Sequence, residues 1–403
     1  MPEPRVEVLF LLPGRTKSET ALWGAAMVEY AARFPGVTVS FNFTDAARPE
    51  FDRIVVVNPN VWPEDLWLLI KQNPRRVAVE RLETASPKAL ADLMHRHIEY
   101  GLRFGFGTLG MGDWRKEWTS GVTLIGLHGR GDGELQAWDY DIARTARIEA
   151  VKLTSHASPK TIERLHDINP NMFIMIRPIM AFYDSGRPRR LAPSDFLAET
   201  GPELQALFNS DPSIKYVEIH NEPNLVIEGL GGSWNNGGEF ASWFLETVQL
   251  MRKEWPDKRY GFPGLSPGAT IRNIREDMKQ FLGECQFAVA QADWVGVHGY
   301  WQSESEMTDV RHGFTWQYYR EAFPDKLLFI TEFGNPIDSK SAVGDQYSRY
   351  YGMLRNANGL GAVFSYVVST SNSYESSRWA WRDENGNDVG IARVVGARRH
   401  ING

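Results

Sequence analysis

The chain has one cysteine, Cys285, in 403 residues. A single thiol excludes an intrachain disulfide and any multi-cysteine metal site. Its place in a predicted helical stretch reads as a buried, inert side chain. Excess basic charge is also missing: 44 Lys and Arg against 50 Asp and Glu give a formal net charge of −6. That balance offers no electrostatic footprint for nucleic acid, and no run of like charge reads as an interaction tail. Long apolar runs are absent. Residues 8–12 are too few to cross a bilayer or to form the apolar core of a signal peptide, and Met1-Pro2-Glu3-Pro4-Arg5 lacks the basic start of one. The sequence as it stands is expected to be cytoplasmic, without a membrane partner; a secreted protein whose signal had been removed would read the same. The histidines are too scattered for a metal site, and no cofactor is expected.

Aromatic residues, in contrast, are abundant. Many of the 14 tryptophans must be core, but sugar-binding clefts also use exposed rings as stacking platforms. Length favours one large domain and a smaller one. Residues 6–102 alternate between strand and helix: strands at 6–12, 37–43, 54–58 and 77–82, helices at 18–34, 63–72 and 87–101. This is the pattern of a small, Rossmann-like α/β layer with a parallel sheet. Gly105-Phe106-Gly107-Thr108-Leu109-Gly110 has the letters of a dinucleotide fingerprint. It follows a helix rather than a strand, however, and opens no long helix, so it reads as a linker. The predicted division is residues 1–110, of unassigned role, and residues 111–403.

From residue 121 a second rhythm runs almost to the end. Strands are predicted at 122–127, 150–153, 172–176, 216–219, 260–264, 294–297, 328–331 and 362–367. Helices fall at 139–148, 161–168, 194–209, 240–255, 273–290, 313–323 and 345–357. Eight strands separated by seven helices predict a (β/α)8 TIM barrel. Polar residues follow nearly every strand: His128, Lys152 with His156, Arg177, Asn221 with Glu222, Ser266, His298 with Tyr300, and Glu332. In such barrels these positions build the C-terminal face, where the chemistry sits.

Two of these strand ends are alike. Tyr216-Val217-Glu218-Ile219-His220-Asn221-Glu222-Pro223-Asn224 ends a strand with a carboxylate beside an amide. Leu327-Leu328-Phe329-Ile330-Thr331-Glu332-Phe333-Gly334 ends another with a carboxylate before a glycine. A glutamate at a strand end is ordinarily a solvated group or the partner of an arginine. Two at corresponding ends of barrel strands are what hydrolysis of a glycosidic bond requires. Arg177 and Lys152 read equally as ion pairs at the barrel rim and as substrate contacts. His128 and His156 read equally as sugar ligands and as loop caps.

His220-Asn221-Glu222-Pro223 resembles the Asn-Glu-Pro signature of glycoside hydrolase clan A, and Thr331-Glu332-Phe333-Gly334 resembles that clan's nucleophile strand. The resemblance covers residues 121 to about 370. It implies a retaining glycoside hydrolase that cleaves a β-linked oligo- or polysaccharide by double displacement. Glu222 would be the general acid/base and Glu332 the nucleophile. Asn221 would hold the sugar 2-hydroxyl, Tyr300 would orient Glu332, and His298 would line the same pocket. Arg177, His128 and Trp301 complete the expected substrate contacts. A non-catalytic carbohydrate-binding barrel, or a transglycosylase using the same residues, remains the alternative. The clan commonly has a tryptophan ending strand eight, which this sequence lacks there. Platform candidates are Tyr183, Trp234, Trp301, Trp316, Trp379 and Trp381, with Trp301 foremost because it follows His298-Gly299-Tyr300. The glycine-rich stretch 229–238 reads as a cleft cover or a flexible connector. Residues 379–388 have acidic groups but the wrong glycine spacing for a calcium loop, and instead predict an Asn-Gly hairpin between 379–382 and 389–394.

Overall fold

The computed structural model describes residues 7–73, 77–99, 104, 112–370, 377–383 and 385–401. The glycine motif at 105–110 lies outside the described residues. Near the N-terminus, Val37–Ser40, Val8–Leu11, Arg53–Val57 and Ala78–Leu82 form, in that order, a four-stranded sheet with every pairing parallel. The strands Val8–Leu11 and Arg53–Val57 are buried throughout. Helices cover both faces of such a sheet, which is why these strands read as continuous apolar runs rather than alternating ones. The helix predicted at 18–34 is two helices, Lys17–Ala25 and Val28–Arg33. The first opens on a capping box in which Thr16 and Glu19 satisfy each other's backbone N–H. It closes when Met27 N–H tightens onto Gly24 O at 3.0 Å.

The eight predicted barrel strands are all present: Leu124–His128, Ala150–Thr154, Phe173–Arg177, Tyr216–Glu218, Arg259–Phe262, Trp294–Tyr300, Leu328–Gly334 and Leu360–Ser365. They are parallel and close into a barrel, with the eighth pairing with the first. At the N-terminal end Trp118 sets its ring against Phe173, Phe329 and Tyr216, with centroids at 5.6, 5.5 and 6.3 Å. This aromatic plug fills that mouth and leaves the opposite end for side chains with chemistry.

The small sheet leans on the barrel's outer helices. Gln286 Nε2 donates to Arg81 O at 3.1 Å, and Arg81 pairs with Glu321 at 3.0 Å. A Cβ on Gly283 would lie 1.9 Å from Glu83 O, so only glycine permits that approach. Cys285 is buried here, between helices Met278–Glu284 and Gln286–Gln291. These two replace the single helix predicted at 273–290, because residues 271–275 turn back on themselves instead. The predicted C-terminal hairpin reduces to one antiparallel bridge, Arg382 to Asp388, and Ile391–Gly396 is a helix rather than a returning strand.

Candidate active site

Barrel strand four stops at Glu218, and the chain then leaves extended geometry. His220 and Glu222 have φ of 87° and 36°, a left-handed region that non-glycine residues seldom occupy and that clusters at functional sites. The surroundings fix this conformation. Glu222 N–H donates to Gly264 O at 3.0 Å. Asn224 accepts from Ser266 N at 2.9 Å and donates to Ser266 O and Glu276 O at 2.9 and 3.1 Å. His220 is packed among Phe182 and Trp234. Burial pushes it down to about 3, so the neutral ring donates from Nε2 to Glu228 O at 2.7 Å.

Strands six and seven deliver the second carboxylate through a register slip. Val297 stands opposite Ile330, yet His298 stands opposite Glu332. The extra residue, Thr331, re-aims the strand end as bulges do, bringing Glu332 beside His298. Tyr300, two residues on, faces the same way as His298.

His298 is the hub. Its Nδ1 lies 2.9 Å from Glu222 Oε1 and 3.8 Å from Glu332 Oε2. Two oxygens that share one neighbour can be no farther apart than the sum of those distances, a bound that admits the carboxylate spacing of about 5–5.5 Å used in retaining hydrolysis. Burial would keep the imidazole neutral, but Glu332 and Glu222 outweigh it and lift His298 above its ordinary value. Tyr300 Oη donates to Glu332 Oε2 at 2.6 Å. Burial and the adjacent carboxylates hold the phenol well above its usual range, so it remains a donor. Arg177 Nη1 reaches Glu332 Oε1 at 2.9 Å and Asn221 Oδ1 at 2.5 Å.

Lys152 is fully buried, 2.6 Å from Glu218 and 3.2 Å from Glu332 Oε1. Burial alone would raise the Glu332 carboxyl. Lys152, His298 and Arg177 overcome that and hold it well below the carboxylate range. His128 lies 3.6 Å from Glu332, but burial and Lys152 drive it far below its ordinary value. It is therefore neutral, and its Nδ1–H donates to Gly129 O at 2.7 Å.

Asn221 is fixed at both ends, since its Nδ2 donates to Glu228 Oε1 at 2.9 Å. Burial first, then Glu222 and Glu332, push Glu228 up to about 7 against the opposing pull of Asn221 and Arg177. These groups line a cleft of about 750 Å³ that also meets Tyr366, Trp379 and Arg275. Among the described residues, no group of three or more His, Cys, Asp and Glu could hold a metal ion. No described helix is long and apolar enough to cross a membrane.

Most of the expected residues thus meet: Glu222, Glu332, Asn221, His298, Tyr300 and Arg177 form one network. Two expectations need correction. Trp301 is only 1% exposed. It borders the cleft, but its ring stacks on Phe333 at 5.7 Å and its N–H is taken by Gln346, so the ring is packed inward and is not an open platform. Trp379, whose ring stands 5.0 Å from Tyr300 and 6.0 Å from Tyr366, lies in the cleft instead. His128 is buried against Glu332 rather than exposed to a ligand. Trp234 and Trp381 belong to the packing: Trp234 is buried and donates to Pro223 O at 2.8 Å, and Trp381 donates to Ser365. Sequence reasoning missed Glu218 and Glu228. Glu218 had a signal: a carboxylate inside one barrel strand and a lysine inside another, both amid apolar residues, can be buried only as a pair.

No family model matches the chain, and no curated protein matches it. Among solved structures it is similar to a glucosidase from Croceicoccus marinus, at 12% identity over 68% of this chain and 67% of that one, with a TM-score of 0.48. It is also similar to an exo-beta-1,3-glucanase from Aureobasidium namibiae, at 13% identity over 66% and 94%, TM-score 0.41. A third is a family 51 alpha-L-arabinofuranosidase from Bifidobacterium longum, at 11% identity over 69% and 74%, TM-score 0.46. These structural neighbours are glycoside hydrolases.

Proposed function

We propose that the chain is a retaining glycoside hydrolase of the clan A type, acting on a β-linked oligo- or polysaccharide, with residues 111–403 as its catalytic unit. The observation that carries this reading is the shared neighbour: one imidazole nitrogen lies within 3.8 Å of both Glu222 and Glu332. Two carboxyl groups that close flank a single anomeric carbon.

In the first step Glu332, kept ionised by its cationic neighbours, attacks the anomeric carbon. The bond to the leaving sugar's oxygen breaks, and Glu222 gives that oxygen its proton. In the second step water yields a proton to Glu222, its oxygen attacks the same carbon, and Glu332 departs. Tyr300 and Arg177 hold the nucleophile in place, and Arg177 also fixes the amide of Asn221 toward the sugar. The differential neighbours of the two glutamates separate their roles: Lys152 and Arg177 both touch Glu332, whereas the short contact of Glu222 is with His298.

The test is a pair of variants assayed on β-linked glycosides. Glu332→Ala is expected to abolish turnover while the protein stays folded. Glu222→Ala is expected to lose most activity on poor leaving groups and far less on activated aryl glycosides. Equal losses on both substrate types would contradict the assignment of the acid.

A further inference from the structure

One cation in the cleft has no part in the double displacement. Residues 271–275 form a tight turn in which Ile271 N–H donates to Arg275 O at 2.8 Å and Arg275 N–H returns to Ile271 O at 2.9 Å. The turn is tied to the loop after strand four by Val226 N–H to Ile274 O, also at 2.9 Å. Arg275 donates from Nε and Nη2 to Ala269 O, at 3.1 and 3.0 Å. Its guanidinium lies against Gly268, where φ is 111° and a Cβ would fall 2.7 Å from Nη2. The side chain is thereby fixed in direction, lines the cleft, and keeps its Nη1 donors without a partner among the described residues.

The other two arginines of the cleft are each paired with a carboxylate, and its glutamates accept hydrogen bonds. Arg177 is paired with Glu332, and Arg311 with Asp309 at 2.7 Å. Glu306 accepts from the backbone of Gln302 and Ser303 at 2.8 and 3.2 Å. Glu228 is engaged by Asn221. Arg275 meets only a neutral carbonyl. A pre-set guanidinium fork with unused donors suits a planar or tetrahedral oxyanion far better than a hydroxyl, because both the charge and the paired donors are then used.

We propose that Arg275 forms a subsite for an acidic sugar unit, one bearing a carboxylate or a sulfate ester, so that the glycan cut between Glu222 and Glu332 is an acidic β-linked one. This rests on the hydrolase reading for the cutting but not for the binding.

The experiment compares β-linked uronate oligomers, sulfated β-linked oligomers and neutral β-glucan oligomers of equal length. At low salt, kcat/KM for one acidic class should exceed that for the neutral class by about tenfold or more, with the advantage shrinking as salt rises. Which acidic class is preferred identifies the oxyanion. Arg275→Gln should collapse the preference by raising KM for the acidic substrate, whereas Arg272→Gln, exposed on the same turn, should not. Calorimetric binding to the Glu332→Gln protein separates the two readings. If the acidic oligomer binds and Arg275→Gln weakens it about tenfold but the wild type cuts nothing, the subsite stands and the hydrolase reading falls. If acidic and neutral oligomers bind alike, or neither binds, the subsite is wrong whether or not cutting is seen.

Discussion

Lys152 and Glu218 form an ion pair at 2.6 Å with both side chains wholly buried, and the same ammonium lies 3.2 Å from Glu332. A buried pair contributes little net stability over a well-packed apolar substitute, but removing one partner strands a charge. Its position explains it better as the electrostatic floor of the site: Lys152 is the strongest of the cations that keep Glu332 ionised against burial.

Lys152→Met should therefore lower stability by about 3–5 kcal/mol, measured by denaturant unfolding. Adding Glu218→Leu should recover much of that loss, because no unpaired charge then remains. The recovered double variant should still be impaired, with the acid limb of its kcat/KM profile moved to higher pH, since Glu332 has lost a cation.

Stability should vary with pH on both sides. The folded-state value of Glu332 is depressed, so its contribution is present above the unfolded carboxylate value of about 4.3 and is lost as pH falls through the folded value. His298 is raised, so its contribution is present below about 6.5 and is lost as pH rises through its folded value. Thermal melts across pH should fall on the acid side in wild type and lose that Glu332 component in Glu332→Gln. The same change should also reduce the alkaline fall, because His298 then lacks one of the two carboxylates that raise it.

Gly264→Ala should displace His298. A Cβ there would lie 2.2 Å from its Cδ2 and 2.4 Å from its Nε2, and the ring cannot yield without leaving Glu222. The expectation is a fall in kcat of roughly 10²-fold, as for an ångström-scale misplacement of a reacting group, with about 1–3 kcal/mol lost to overpacking. Steady-state kinetics alongside denaturant melts would read both.

The two tryptophans near the cleft should separate cleanly. Trp379→Ala is expected to raise KM for an oligosaccharide while the melting temperature changes little. Trp301→Ala, which empties a buried site stacked on Phe333, is expected to cost about 3–5 kcal/mol.

The barrel and the paired glutamates were legible in the sequence because strand-end position is a local signal: an apolar run stops and a polar residue follows. The burial of Trp301 was legible but overlooked, since alternation along a strand is a sequence rule. Its neighbour Tyr300 faces the cleft, and the next residue in an extended chain turns the other way, into Phe333 and Tyr350. Glu228 was hidden because its partner, Asn221, reaches it only through the left-handed backbone at His220 and Glu222. The register slip at Thr331 depends on pairing between strands, which no single strand's sequence discloses. The helix expected at 273–290 failed for a related reason: the turn at 271–275 is closed by contacts with the loop after strand four.

In the proposed double displacement Glu332 bonds to the face of the sugar opposite the leaving group, and water then displaces it from the face the leaving group had occupied, so the configuration is retained. Proton NMR of the first product formed from a β-linked substrate, recorded before mutarotation, tests this most directly. Double displacement predicts the β-anomer as the initial product. Initial appearance of the α-anomer would mean a single displacement by water, and would contradict the assignment of Glu332 as the group that bonds to the sugar.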